Sequence, residues 1–443
     1  EHPDWSEEKI REEINKKYQL LWGAQGYGDQ LANNDPKAEE TRYLAEMAYR
    51  LYGYIIDIAY IQKRDGVFYS VLARYNPASG RIEDVIANKL TSEWPLASEG
   101  KPGNQTHALR YVRGERNMTI DINQDFYIEQ ALKIPHLLSV FRDKKLDLIG
   151  YPEDIFTEDY SLVGKFHAIA DRTFNSLVQP VLFLLGARFH YGHPDVWRTS
   201  AIRQIGGVSR SYPVNEDIFG GYELTLRGRK IGYVMWIEAG KAREVSWATT
   251  DGIFRKFGMG ATQQSYNRYL YYLNSSKNFN ILQQLAHLYG GIGYYLRKPW
   301  VIAGLFAYLG FMLIGGVSGF AAFPAELLFA VFGIVLFAQS ITFTGYAQYI
   351  IDNPTIKGTL EFWFKIFPLM SPFFMAHVFT NAVGVDLAQK GIATYVATGR
   401  GFMLSHLGID KIYDNFGRSH VIPGVIGTAM GIYGMLLWQN ITL

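Results

Sequence analysis

The sequence predicts an α/β fold over about its first 300 residues and a membrane portion after them. Two observations set that division. Strand-periodic and helix-periodic stretches alternate as far as residue 297, and long Gly-rich apolar runs take over from residue 301. A third observation points to chemistry. Between Lys101 and Asp125 the chain crowds together Lys101, Asn104, Gln105, His107, Arg113, Glu115, Asp121, Asn123, Gln124 and Asp125. That density of groups able to bind phosphate, sugar hydroxyls and base edges exceeds what a solvated loop needs.

The elements follow in order. Ser6 is a plausible N-cap for a helix over 6–22, with acids in the first turn and Ile10, Ile14, Tyr18 and Leu21 at helical spacing. A second helix is predicted over 38–52. The β-rich runs 54–62 and 67–75 flank the turn signal Lys63-Arg64-Asp65-Gly66 and read as a hairpin. Residues 97–104 read as a loop, 107–112 and 118–122 as short strands, 125–142 as helical and 231–237 as a β-run.

The first 297 residues are expected to form one domain and 298–443 a membrane region. Runs 301–320, 327–343 and 421–438 are long and apolar enough to cross about 30 Å of hydrocarbon. The stretch 361–385 carries Lys365, Pro368, Pro372, His377 and Asn381, and is expected to be interfacial or re-entrant, because charge at the bilayer centre is costly. Arg297 and Lys298 before the first run, and Lys390, Arg400, Lys411 and Arg418 in 386–420, place the N-terminal domain in the cytosol by the positive-inside rule. Lys365 and His377 are the ionisable candidates that a transporter reading would need. The abrupt first residue, with no apolar leader, is expected of a piece of a longer polypeptide.

Composition narrows the chemistry. The 443 residues contain no cysteine, which excludes disulfides, thiolate metal sites and a cysteine nucleophile. A net charge of +2 gives no electrostatic case for nucleic acid, and no such partner is expected. Aromatics make up 15%, in keeping with membrane-interface belts or sugar-stacking surfaces. There is no Walker A loop, nucleophile elbow or HExxH helix.

Three constellations remain. Asn215-Glu216-Asp217 supplies adjacent carboxylates, one of which could act as general base; alternatively the acids simply open a helix and complement its dipole. His190-Tyr191-Gly192-His193-Pro194-Asp195 has two histidines three apart, but its Gly and Pro favour a turn over a metal site. Lys241 and Arg243, after the β-run, could clamp a diphosphate or form ordinary ion pairs with neighbours such as Glu244.

Taken together these motifs resemble the callose synthases and fungal β-1,3-glucan synthases. Glu99-Gly100-Lys101-Pro102-Gly103-Asn104-Gln105-Thr106-His107-Ala108 is similar to their EGKPxNQNHA segment. Arg113-Gly114-Glu115 matches RGE, 120–125 matches IDxNQD, 189–195 matches FHYGHPD and 215–219 matches (N/S)EDIF. Residues 397–402 and 418–420 match ATGRGF and RSH. The matches are collinear from about residue 50 to 430. The chain departs from the pattern at Thr106, at Glu244 in place of the acid of GKGRD, and over 260–268 in place of GEQxLSR.

The resemblance implies a processive, inverting glycosyltransferase with a cytosolic GT-A-like domain, polymerising glucose from UDP-glucose into β-1,3-glucan and passing it across the plasma membrane. It implies Asp217 as general base, Glu216 beside it in the acceptor site, and Lys241 as a catalytic cation facing the diphosphate with Arg243. Lys101, Asn104, His107, Asp125, His193 and Gln263 are implied to bind substrate. Lys101, Asp125, Asp217 and Lys241 are expected to line one cavity. No divalent metal is expected to be essential, since a lysine can supply the charge. The implied partners are UDP-glucose, the growing glucan, the lipid bilayer, and a small GTPase or other synthase subunits as regulators. A synthase of another linkage and an inactive synthase-complex subunit are the alternatives.

Overall fold

The computed structural model describes residues 4–24, 26–90, 101–121, 124–184, 194–207, 216–265, 269–288, 349–351 and 353–366, with short pieces around 302–310, 379–390 and 409–436. The N-terminal elements are α1 (Glu7–Lys17), β1 (Leu20–Gly23), α2 (Tyr27–Ala32), α3 (Lys37–Tyr52), β2 (Ile56–Arg64), β3 (Val67–Asn76), β4 (Arg81–Lys89) and α4 (Lys101–Ala108). Then come β5 (Arg116–Met118), β6 (Gln124–Asp125), α5 (Ile128–Ala131), α6 (Ile134–Lys144), β7 (Leu148–Gly150), β8 (Glu153–Ile155), α7 (Leu162–Thr173) and α8 (Gln179–Leu184). They are followed by β9 (Val196–Arg198), α9 (Thr199–Gln204), α10 (Glu216–Leu226), β10 (Ile231–Tyr233), β11 (Ala239–Lys241), α11 (Trp247–Ser265), α12 (Tyr269–Ser275) and α13 (Ile281–Leu288). The α/β class is therefore the one expected.

The chain forms two compact units. The first comprises residues 1–119, 145–149 and 190–230. In it β1, β2, β3 and β4 pair in chain order, β1 parallel to β2 and the rest antiparallel. Asp65 and Gly66, with φ of 49° and 79°, make the tight two-residue turn that the sequence signalled. Alternation along β2 sends Ile58 and Tyr60 to one face, where they pack with Ala45, Val71 and Ala73. Ala59 goes to the other face and meets Leu72, Ala108 and Tyr111. Elsewhere in this unit β9 is flanked by β5 and β7, antiparallel to both.

The second unit comprises residues 120–144, 150–189 and 231–443. Its β11 lies between β6, antiparallel, and β8, parallel. α7 runs through a π-helical turn at Phe174–Val178 directly into α8. Phe166 and Ile169 of α7 pack with Ile253 and Phe254 of α11 and with Tyr349, Phe362 and Ile366. The start of the stretch expected to be interfacial thus contributes two fully buried side chains to this core. Further along, Thr380 Oγ1 donates to buried Asp251 Oδ1 at 3.0 Å. A Cβ on Gly384 would lie 2.4 Å from Arg255 O, so the backbone around Gly384 sits directly on α11.

Several expectations change. The first helix stops at Lys17 and the chain turns into β1, because Leu20 and Leu21 find a strand partner in β2. The loop over 97–104 and the strand over 107–112 give way to helix α4; residues 97–100 lie outside the described set. Pro102 is tolerated in a first turn, where its missing N–H costs nothing. His107 and Ala108 at the end of the helix, and Tyr111 in the turn after it, are buried among polar neighbours. β4, an exposed edge strand, was not foreseen. Among the described residues no helix is long and apolar enough to cross a membrane. The run 327–343 lies wholly and 301–320 mostly outside those residues, and 421–438 falls within them only in part.

Among the described residues three imidazoles are enclosed: His107 in the first unit, His167 and His287 in the second. Burial lowers the pKa of His107 and His167 to about 4 and that of His287 to about 3. Between those values and 6.5 the unfolded chain binds more protons than the folded one, so stability falls as pH falls through that window. Chemical denaturation should show full stability above pH ~6.5 and a loss reaching the order of 3 kcal/mol per buried histidine near pH 4. The loss should shrink when His167 is replaced by Gln. A pH-independent midpoint from 7 to 4 would contradict the burial of these rings.

Candidate active site

In the second unit two motifs distant in the chain meet as paired strands. Gly240 lies opposite Asp125 and Lys241 opposite Gln124 in the antiparallel β11–β6 pair. On the other side Gly240 lies opposite Asp154 and Lys241 opposite Ile155. Because side chains alternate, Asp125 and Asp154 share one face, and Gln124, Lys241 and Glu153 share the other. Asp125 is exposed and its Oδ1 accepts from the Phe126 N–H at 2.7 Å. The structure thus joins the strands of Asp125 and Lys241 but turns the two side chains to opposite faces.

Lys241 is committed to Glu153. Its Nζ donates to Oε1 at 2.8 Å and Oε2 at 2.9 Å, with both side chains only 4% exposed. Gln124 Nε2 donates to the same Oε1 at 2.5 Å. Behind them Asn175 Nδ2 donates to Glu153 O at 3.3 Å, and Tyr233 OH donates to Asn175 O at 2.8 Å. Removing one partner of such a buried pair costs about 3–5 kcal/mol, because the other charge is left in a low-dielectric interior.

Arg243 is held in the same way. Its Nε donates to Asp171 Oδ2 at 2.5 Å, and its N–H donates to Thr157 Oγ1 at 2.9 Å. Burial opposes its charge, but Asp171, Glu244 and Glu153 outweigh that and hold its pKa above the ordinary value. Glu244 is buried beside it. Burial raises its carboxyl pKa against the pull of Arg243, and its Oε2 has no hydrogen-bond partner among the described residues. Each cation of this motif is therefore matched by a carboxylate. Arg172 joins Asp154 at 2.8 Å to Glu158 at 2.6 Å. With Glu158, Asp159, Lys165, Ile169, Tyr349 and Asn353 it lines a cleft of about 180 Å³ whose acids and bases balance.

In the first unit Lys101 opens α4, and Asn104 Nδ2 on that helix donates to Gly23 O at 2.7 Å. His107 lies beneath the surface, fully buried. Its Nε2 is 2.7 Å from Ser70 Oγ, which is 2.6 Å from Tyr111 OH. It supports α4 from below. The Arg113-Gly114-Glu115 turn is tied to α9, whose Thr199 donates through Oγ1 to Gly114 O at 2.6 Å and through its N–H to Glu115 O at 3.0 Å. Glu216 and Asp217 begin α10, as the helix-opening reading required. That helix is seated by Gly220, where a Cβ would lie 2.8 Å from the Trp197 ring. Asp195, next to β9, is buried.

The side chains of Lys101, Glu216, Asp217 and Gln263, and all of His190 and His193, lie outside the described residues. Among the described residues no three His, Asp or Glu side chains are grouped to hold a metal ion. Lys101, Asn104, His107, Glu216 and Asp217 belong to the first unit, and Asp125, Lys241, Arg243 and Gln263 to the second. Sequence reasoning missed Glu153 and Asp171. The acidic pair Glu153-Asp154 directly after an apolar run was a usable signal for the first; nothing local marked the second.

Comparison of the sequence with known proteins places this chain in a family. The profile described as 1,3-beta-glucan synthase component matches residues 1–322. Callose synthase 12 of Arabidopsis thaliana is 30% identical over 438 residues, covering 94% of this chain and 24% of that protein. Callose synthase 11 of Arabidopsis thaliana is 30% identical over 429 residues, covering 92% of this chain and 24% of that protein. Callose synthase 5 of the same plant is 30% identical over 441 residues, covering 92% and 22%. The chain thus spans about a quarter of the length of these relatives. It belongs to the 1,3-β-glucan synthase family.

Proposed function

We propose that this chain is the catalytic part of a UDP-glucose-dependent β-1,3-glucan synthase: a processive, inverting glycosyltransferase with a GT-A-like domain. The observation that carries the reading is the β6–β11 pairing, which brings the strand of Gln124 and Asp125 against the strand that leads into Lys241 and Arg243. Two segments that the resemblance assigned to one substrate are neighbours in the fold. The callose synthase names of the relatives support the same product class.

The transfer balances simply. The 3-hydroxyl oxygen of the acceptor forms a bond to the anomeric carbon as the bond from that carbon to the UDP oxygen breaks. The hydroxyl proton passes to the carboxylate of Asp217, with Glu216 beside it in the acceptor site, and UDP departs with the bonding pair. Lys101, Asn104 and Asp125 hold the nucleotide-sugar, and His193 and Gln263 the acceptor side. Lys241 and Arg243 stabilise the leaving diphosphate, which competes with Glu153 and Asp171 for them. His107 acts as a positioning residue under α4. The runs 301–320, 327–343 and 421–438 cross the plasma membrane and pass the polymer outward, with the domain on the cytosolic side.

Asp217→Asn should leave UDP-glucose binding within a few-fold and abolish polymer; near-normal synthesis would remove Asp217 from the base role. Lys241→Ala alone leaves Glu153 buried and unmatched, so the informative variant is Lys241→Met with Glu153→Gln, which conserves volume and leaves Gln124 an acceptor. It should fold with a near-normal thermal midpoint and lose at least ~100-fold in turnover; recovered turnover would reduce Lys241 to a counter-ion. Because the two cations do the work of a divalent ion in this reading, synthesis should survive EDTA within a few-fold. Complete loss restored by Mg²⁺ or Mn²⁺ would return that work to a metal.

A further inference from the structure

Two helices of the second unit are apolar on both sides. α13 packs Ala286 against Leu182 of α8, while Ile281, Leu282, Leu285 and Leu288 face outward. Ile281 is 65% exposed and Leu285 54%. The helix Ile356–Glu361, continued by the π-helical turn Phe362–Ile366, buries Phe362 and Ile366 against Phe166 and Ile169 of α7. Ile356, Leu360 and Phe364 form an outward apolar stripe, with Ile356 83% and Phe364 80% exposed. Both helices thus rest on the continuous α7–α8 run and turn large apolar side chains away from it.

A helix on a water-facing surface directs charge outward. The sequence of α13, ILQQLAHL, has no charged residue. In the second helix exposed Lys357 and half-buried Glu361, the latter 3.8 Å from Lys165, lie one residue beyond Ile356 and Leu360 and flank a stripe that is itself apolar. Contiguous exposed apolar side chains at this density mark a surface that another phase or molecule covers.

Chain connectivity identifies the cover. α13 ends about a dozen residues before the apolar run 301–320, and the helix at Ile356 begins about a dozen residues after the run 327–343. Twelve residues reach at most about 40 Å. Two successive crossings return the chain to the side it left, so both helices emerge at the same membrane face. Arg297 and Lys298, between α13 and the first run, suit the headgroup level of that face. We infer that α13 and the helix around Ile356–Ile366 lie in the plane of that lipid surface, their outward stripes among the upper acyl chains, and fix the α7–α8 run parallel to the bilayer. This rests on reading 301–343 as a membrane hairpin.

The cysteine-free sequence makes the test clean. Leu285→Cys, Phe364→Cys and, as a water-exposed control, Ser79→Cys are each labelled with an NBD fluorophore. The full chain is then reconstituted into phosphatidylcholine vesicles carrying nitroxide lipids spin-labelled at acyl carbon 5 or 16. Labels at 285 and 364 should emit at shorter wavelength than the label at 79. They should be quenched at least two-fold more strongly than it, and more by carbon 5 than by carbon 16. Water-like, unquenched emission at both sites would overturn the inference. So would shielded emission that neither lipid quenches, which means protein covers the stripes, or stronger quenching by carbon 16, which means insertion. Polymer formed from UDP-glucose in the same vesicles keeps the two readings apart. Synthesis with unquenched labels sinks the membrane inference alone, and shallow quenching without synthesis sinks the enzymatic reading alone. Failure of the chain to float with the vesicles removes the hairpin and the inference together.

Discussion

The buried bond between Lys241 and Glu153 is the constraint on which the rest of the second unit turns. It sits at the centre of β6–β11–β8, takes Gln124 as a further donor to the same carboxylate, and is backed through Asn175 and Tyr233. Two charges out of water are tolerated only when each finds the other with good geometry and every remaining polar group is satisfied. That requirement fixes the register of three short strands, which are too short to hold themselves by backbone pairing alone. It also sets where Asp125 and Arg243 lie, one residue to the opposite face and two residues beyond the pair. Burial here favours specificity of arrangement over stability. An apolar trio would hold the strands as well, but would lack the cation that the proposed transfer needs at the diphosphate.

The first unit reaches the same end by different means. Its polar motifs lean on backbone contacts, Asn104 on the Gly23 carbonyl and Thr199 on the Gly114 carbonyl, with exposed Arg113 and Glu115 adding ion pairs to Asp57 and Arg198. Rigid helices and strands carry the side chains proposed to touch substrate, and a neutral, buried His107–Ser70–Tyr111 chain braces α4 from beneath. In the second unit Tyr349, Phe362, Ile366, Thr380 and Val385 are all buried. Phe362 and Ile366 are enclosed by α7 and α11, and Thr380 bonds the buried Asp251. Any movement of these residues must be felt by α11, whose last turn carries Gln263.

Legibility followed the kind of signal. The β2–β3 hairpin was plain because Asp65-Gly66 admits positive φ between two β-branched and aromatic runs. α3 was plain from period alone. α4 is hidden in the sequence because its residues 101–107 are polar, Gly or Pro, and its buried His107 belongs to a type often found outside, so polarity masks the 3.6 period. β4 was missed because an edge strand with one sparse face has little pattern to show. Motif strings single out Asp125, Lys241 and Arg243, but the pairing of Lys241 with Glu153 and of Arg243 with Asp171 is set by tertiary structure: the acids Glu153-Asp154 after an apolar run are a weak local signal, and Asp171 has none. The alternation that sends Asp125 and Lys241 to opposite faces was equally invisible, since it depends on the register of Gly240 with Asp125.

The central claim is that this arrangement joins glucose from a nucleotide donor through 1,3-β linkages. The most direct measurement incubates the membrane-reconstituted chain with radiolabelled UDP-glucose and digests the insoluble product with a linkage-specific β-1,3-glucanase. The account predicts an insoluble polymer reduced entirely to short sugars by that enzyme. A product that resists it, or no transfer of label from UDP-glucose to any saccharide, would contradict the account.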